Sequence, residues 1–378
     1  MESKDKDIVL YAVGDVGPKR EDPHSMFQHV AGFLKKGDIR FCQLEINLST
    51  RGEPLPQARL PMRSRPDCAV ALKECGFQVA SFASNHCMDF GRKAFFDTID
   101  ALKANGIRPI GVGSDSVEAR RPAILDSHGT RIGFLAYNSI LPFGYWAESD
   151  RPGCAPMRAW TFYEPVEPDQ PGSRCRIHTF PRTEDLEALA ADIEGLRSKA
   201  DVVIVSIHWG IHFVPAQLAD YQVAVAHKAI DCGADMILGH HPHILKGIEV
   251  YKGKVIFYSL GNFAIEQPGA FMQDLYTRRR HKEIEELNPN WDQGREYPLP
   301  PETRKSIIAI ARLQKGCIKE VSFIPVTIGT GSEPEILLPD DKRFEDVVHY
   351  IQEITDNQRI ETHFVLAENE IGIQLQSA

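Results

Sequence analysis

The sequence predicts an α/β protein, on two observations. Short apolar runs alternate with longer amphipathic stretches, a pattern that favours a sheet with helices packed on its faces. Successive apolar runs also end in Asp, Glu, Asn or His, and in open α/β sheets ligands bind beyond the carboxyl ends of the strands.

The elements follow in order. Ile8 to Val13 reads as a buried strand, and residues 24–36 as a helix with Phe27, Val30, Ala31 and Leu34 on one face. Ile39 to Leu44 is a strand, 67–74 a helix, 77–82 a strand, and 92–105 a helix closed by Gly106. Residues 107–112 are strand-like, and 124–126 with 131–137 read as a hairpin about Gly129. From 141 to 182 Pro, Gly and aromatic residues break the pattern, which predicts a loop insertion. Helices over 184–197 and 218–230 alternate with strands at 202–207 and 236–238. Hairpins follow about Lys252-Gly253 and Lys315-Gly316, separated by a polar loop over 267–305. One main domain is expected over 1–330, with 331–378 as an extension packed on it, since so short a piece is a thin basis for its own core.

Composition narrows the function. Of 378 residues, 43% are hydrophobic and 25% charged, as in ordinary globular proteins. A net charge of −9 argues against sequence-independent nucleic-acid binding, which needs a basic footprint. The polar start and the brief apolar run at 8–13 predict neither a signal peptide nor a membrane span, and so a cytoplasmic protein. The eight cysteines include no C-x-x-C pair, which disfavours a thiolate zinc site. Cys87 reads as a spacer between site residues.

The chemistry gathers at the strand ends. The first strand ends in Gly14-Asp15-Val16-Gly17, the second in Leu44-Glu45-Ile46-Asn47, and the third in Asn85-His86-Cys87-Met88-Asp89. The strand from Val202 ends in His208-Trp209-Gly210, and that from Met236 in His240-His241-Pro242-His243. An H-x-H triplet on extended chain puts two imidazoles on one side. A set of O and N donors without thiolate suits a divalent metal, one or two ions of Mn, Fe or Zn. Taken alone, the His triplet also reads as a hydrogen-bonded strand terminus or an adventitious metal binder.

Gly-Asp, Leu-Glu, Asn-His-x-x-Asp, His-Trp-Gly and His-Pro-His, in that order, resemble the metallophosphoesterase (calcineurin-like) superfamily. The phrases Ala-Ser-Asn-His-Cys-Met-Asp-Phe-Gly, Gly-His-His-Pro-His and Phe-Tyr-Ser-Leu-Gly-Asn-Phe are similar to its CapA-like branch, tied to capsule and poly-gamma-glutamate synthesis. The resemblance covers roughly residues 8–265. It implies a two-layer mixed β-sandwich flanked by helices, αββα, with a dinuclear site at one edge. It also implies that Asp15 and His243 hold one metal, that Glu45 bridges, and that Asn85, His208 and His241 hold the second. His86 then faces the substrate as general acid, and Asp89 orients it. The implied activity is hydrolysis of a phosphoester or amide by metal-activated hydroxide. Two departures stand out: Gly17 occupies the place of a usual histidine, and Glu45 that of a usual aspartate. An N-terminal membrane anchor is usual in this branch, and the polar start of the sequence leads us to expect none here.

Other residues carry two readings. His212 and His240 adjoin ligand positions and read as solvated or hydrogen-bonded histidines. Arg63 and Arg65 suit a bidentate grip on a carboxylate or phosphate, or are surface charges. Trp146, in the run Phe143 to Trp146, either lines a pocket for a peptide-like substrate or packs the insertion onto the body. Asn262 is a site neighbour or a turn residue. The basic run 278–282 is a solvated loop face or a lid over an anionic substrate. Two alternatives to a hydrolase remain: a peptide epimerase or other non-hydrolytic enzyme on the same scaffold, and a non-catalytic accessory factor in polymer assembly. Oligomeric state is not legible in the sequence.

Overall fold

The computed structural model describes residues 7–266, 286–288, 290 and 299–375. The basic run 278–282 and most of the polar loop lie outside the described residues.

Two mixed sheets carry the chain. The ten-stranded sheet is built around Ile8–Gly17, which pairs in parallel with Ile39–Leu44 and Asn262–Ile265 and antiparallel with Lys305–Gln314. Val79–Ser81 and Arg108–Ile110 continue it in parallel, and Cys317–Ile328 extends the other side. The six-stranded sheet runs in the order Ile248–Tyr251, Lys254–Phe257, Met236–His240, Val202–His208, Thr130–Asn138 and Ala123–Ser127. Its central strands are parallel, so Asn138, His208 and His240 fall in register at one edge.

The sheets face one another. Phe41 of the first stacks on Phe134 of the second with ring centroids 6.0 Å apart. Met236 and Leu238 point into this shared core, while Ile237 between them joins a second cluster under the outer helices. That alternation is the period-two signature of a strand covered on both faces. Thr183–Arg197 and Asp220–Asp231 cover the outer face of the six-stranded sheet through Leu189, Ile193, Val225 and Ala229. Cys68–Cys75 and Gly91–Ala104 bury Leu72, Phe95 and Ile99 against the larger sheet. This is the expected two-layer sandwich flanked by helices. Truncating a central core ring such as Phe41 to Ala would cost about 3–5 kcal/mol.

Two expectations are corrected. The single helix over 24–36 is instead a 3-10 turn, Pro23–Phe27, and one α-turn, Ala31–Leu34. Asp22 caps the first through His24 N at 3.1 Å, and i→i+3 bonds such as Val30 N to Phe27 O at 3.0 Å tighten the middle. Phe27, Val30 and Leu34 are buried all the same, because turns of either type bring them to one side. The insertion at 141–182 is not all loop. Ala159–Pro165 and Cys175–Pro181 pair as a hairpin that leaves Trp160, Phe162 and Phe180 exposed. It escaped the sequence reading because apolar residues fall on both of its faces.

At the C-terminal end, Lys342–Asn357 buries Phe344, Val347, Ile351 and Ile354, and the strand Glu370–Ile373 pairs with Cys317–Ile328. Among the described residues no helix is long and apolar enough to cross a membrane.

Candidate metal centre

The parallel strands bring the expected donors to one edge of the sandwich. Gly14 lets the first strand pass close to Gly261, since a Cβ there would sit 2.0 Å from Gly261 O. Asp15 N donates to that same oxygen at 3.0 Å, and the strand register shifts just beyond Asp15. The contact aligns Asp15 with Asn262. Glu45 N donates to Val16 O at 2.9 Å, which fixes the second strand's end beside the first. Asp15, Glu45 and His208, all fully buried, offer one ligand atom each within 4.8 Å of one another.

Imidazoles close the site. His208 Nε2 lies 3.4 Å from Glu45 Oε1, 2.7 Å from Asn85 Oδ1 and 3.2 Å from His241 Nδ1. His241 Nδ1 is itself 3.1 Å from Asn85 Oδ1. His243 Nδ1 lies 3.3 Å from Asp15 Oδ2 and 2.8 Å from Asn262 Oδ1. His241 and His243 adopt φ of 96° and 58°, a region that side-chain-bearing residues seldom occupy. Such strain persists where the surroundings over-determine it, and it clusters at functional sites.

The electrostatics fit a cation. None of the four carboxylate oxygens of Asp15 and Glu45 has a hydrogen-bond partner among the described residues, though all are buried. Burial of an uncompensated carboxylate is costly. It pushes Glu45 well above the usual carboxylate range, Asp15 and Asp89 push further, and the nearby Gln43 and Ser84 side chains offset only part. Burial likewise holds His208 and His241 well below the usual imidazole range, reinforced by the neighbouring imidazoles. Neutral imidazoles keep a lone pair for a metal. Cys87 is fully buried and its thiol pushed up by burial and by Cys154, so no thiolate joins the set. Asp15, Glu45, Asn85, His208, His241 and His243 therefore fit a hard or borderline divalent ion.

Beside them His86 Nδ1 meets Asp89 Oδ2 at 2.7 Å, with His86 Nε2 4.0 Å from Glu45 Oε1. Asp89 also accepts from Met62 N at 3.2 Å and Tyr145 Oη at 3.1 Å.

A family model described as bacterial capsule synthesis protein PGA_cap matches residues 7–267. The chain belongs to the PGA_cap family. It is 29% identical over 245 residues to the capsule biosynthesis protein CapA of Bacillus anthracis, covering 64% of this chain and 54% of that one. It is 32% identical over 236 residues to a probable polyglutamine synthesis accessory protein of Mycobacterium tuberculosis, covering 61% and 57%. The chain thus spans little more than half the length of these curated relatives. Among solved structures, a hypothetical protein from Thermus thermophilus is similar at 14% identity and a TM-score of 0.45, covering 84% of this chain and 98% of that one.

The remaining expected residues of this PGA_cap chain separate. Asn262 is buried in the site, its Oδ1 against His243. Trp146 lines a cavity of about 220 Å³ with Ser139, Leu141, Arg158 and Arg182. Ser139 of that lining is tied to the strand that ends in His208, its backbone N donating to His208 O at 2.8 Å. Arg63 and Arg65 line a surface pocket with Lys19 and Arg20, whose lining includes none of the donors.

His240 is a correction. It is neither solvated nor hydrogen-bonded: it is fully buried, both ring nitrogens lack partners, and Nδ1 is 3.6 Å from Asp15 Oδ1. Burial pushes it down to about 4, with Asp15 pulling the other way. The strand alternation Met236, Leu238, His240 carried this signal. His212 stacks on His241 with centroids 3.8 Å apart. Tyr145 had no signal beyond its place in an aromatic run.

Proposed function

We propose that this chain is a metal-dependent hydrolase acting on a phosphoester or amide of an anionic or peptide-like substrate. The observation that carries this reading is the buried pair Asp15 and Glu45, whose unpartnered oxygens face neutral imidazoles. Asp15, Glu45, His208, His243, His241 and Asn85 are the proposed ligands of one or two divalent ions. Bound there, the metal supplies charge neutralisation and lowers the pKa of a coordinated water.

The chain's own residues supply the rest. Asp89, fixed by Met62 N and Tyr145 Oη, holds the proton of His86 on Nδ1 in the neutral ring. Protonated on Nε2 as well, His86 delivers that proton to the leaving oxygen or nitrogen. The names of the relatives, capsule biosynthesis and polyglutamine synthesis, favour a polymer of linked amino acids as the substrate. The test is metal analysis joined to turnover of generic phosphodiesters and glutamyl amides. Stoichiometric manganese, iron or zinc with turnover supports the reading. A metal-replete protein that turns over none of them, or one that takes up no metal, leaves an accessory role in polymer assembly.

One observation favours a second reading. The cavity at Trp146, whose lining Ser139 is tied by its backbone N to His208 O, has room for a peptide side chain. In that reading His86, with His208 or Asp15 on the opposite face, would remove and return a Cα proton, making the enzyme a peptide epimerase. Solvent deuterium at Cα after incubation of peptides in D2O supports it, and unlabelled peptide excludes it.

A further inference from the structure

The pocket shared by Arg63 and Arg65 is a built feature with a volume of about 310 Å³. Four cations, Lys19, Arg20, Arg63 and Arg65, line it against one carboxylate, Glu21. Carboxylates outside the lining, Glu266, Glu333 and Asp67, pair with Arg20 and Arg65, so the charge left for a ligand sits on Lys19 and Arg63.

Its walls grow from the strands of the metal centre. Lys19 and Arg20 follow Ile8–Gly17, which carries Asp15. Ser49 and Thr50 follow Glu45 by a few residues, and Arg63 pairs with Asn47 in a short parallel ladder. The pocket is therefore built by the segments that follow the strands carrying Asp15 and Glu45.

The cations differ in how they are held. Arg20 is spent on structure: it bonds Glu266, Glu333 and Gly331 O, and Ser25 Oγ at 3.2 Å. Arg65 is half spent, on Asp67 at 3.0 Å and Glu21 O at 3.0 Å. Arg63 is held by neutral groups. Its guanidinium lies 4.4 Å over the Phe90 ring, and Nη1 donates to Gly52 O at 3.0 Å. Among the described residues neither Arg63 nor Lys19 forms an ion pair. An arginine fixed in place by a carbonyl and an aromatic face keeps its charge and its remaining fork of donors, the arrangement that grips a carboxylate or phosphate bidentately.

We propose that this pocket is an oxyanion subsite. Arg63 and Lys19 bind a carboxylate or phosphate of the substrate away from the bond that reacts, with Arg65 assisting. The substrate accordingly carries an anionic group in addition to whatever meets the metal centre. The proposal rests on the hydrolase reading for the word substrate, but its test does not use turnover.

The test is isothermal titration of the metal-loaded protein with inorganic phosphate and, separately, with glutarate. Arg63→Met, Arg63→Lys and Lys19→Met are compared with wild type, and metal content is measured in each. Loss of a charge-assisted bond of about 1.5–3 kcal/mol corresponds to roughly tenfold or more in affinity. At least one probe is expected to bind wild type and to weaken by about that factor in Arg63→Met and measurably in Lys19→Met, with metal content unchanged. Arg63→Lys, which keeps the charge without the fork, should fall between. Phosphate alone responding assigns a phosphate substituent, and glutarate alone a carboxylate. Lys19 is exposed, so its variant answers even where Arg63→Met fails to fold. Equal affinities in wild type and variants, or no binding of either probe, overturn the proposal. Normal probe binding without turnover counts against the hydrolase reading alone.

Discussion

His86 and Asp89 form a fixed pair, with Nδ1 2.7 Å from Oδ2 and the carboxylate anchored by a backbone amide of Met62 and the phenol of Tyr145. Three donors on one buried carboxylate leave it little freedom, so the imidazole has one orientation. His86→Asn should lower turnover by about 10²–10⁴-fold, the usual span for a general acid, with metal content intact. Asp89→Asn should cost less, about 10–100-fold, as loss of an orienting partner does. Tyr145→Phe, which removes one of three anchors, should fall below either. Loss of metal in His86→Asn would identify it as a ligand instead.

Asp15→Asn and Glu45→Gln should each weaken metal binding by more than the roughly 10–100-fold that an outer partner costs. Their effect on stability should reverse with metal. Glu45 is raised by burial, so in chelated protein its stabilising form is the protonated one, present below the ordinary carboxylate range and lost as pH rises through the raised value. Chelated wild type should therefore lose stability as pH rises, and Glu45→Gln should flatten that slope. In metal-loaded protein the amide variants should be the less stable. Denaturant unfolding across pH, with and without chelator, reads both.

Gly17 occupies the place where the family resemblance leads one to expect a histidine, and the space beside it is tight. A Cβ there would lie 3.0 Å from Ile46 Cγ2 and 3.1 Å from Ile265 Cγ1. Gly17→His should lower stability by about 1–3 kcal/mol, the usual cost of overpacking, and add no metal ion. Thermal unfolding and metal analysis of Gly17→His beside Gly17→Ala check this.

Lys246 is buried, and Nζ donates to Val214 O and, at 3.0 Å, to Gln217 O. Burial alone pushes it down from 10.5 to about 7. The folded state thus binds fewer protons than the unfolded between those values, and stability should rise with pH across that interval. The gain is on the order of 4 kcal/mol, at about 1.4 kcal/mol per pKa unit. In Lys246→Met the rise should vanish, which urea unfolding at pH 7 and pH 10 would detect.

The strand ends were legible without a structure, because donor residues at the ends of apolar runs are a linear pattern. Asp15, Glu45, Asn85, His208, His241 and His243 were each read from that pattern, and the short apolar runs placed the strands. Other features depended on neighbours remote in sequence. Arg63 is distinguished from Arg65 by Phe90 and Gly52, and Trp146 shares a cavity with Ser139, whose N bonds His208 O. The single helix expected at 24–36 gave way to tighter turns that bury the same residues.

The sequence by itself determined which residue types meet at the sheet edge and the α/β class that brings them there, since both follow from local period and order. Only the tertiary structure decided that Asp15 and Glu45 share one buried space, their oxygens without hydrogen-bond partners among the described residues, and that His240 stands beside Asp15 rather than in solvent. The reason is physical: a side chain's charge and hydrogen bonds depend on what surrounds it, and here the surroundings come from the opposite sheet.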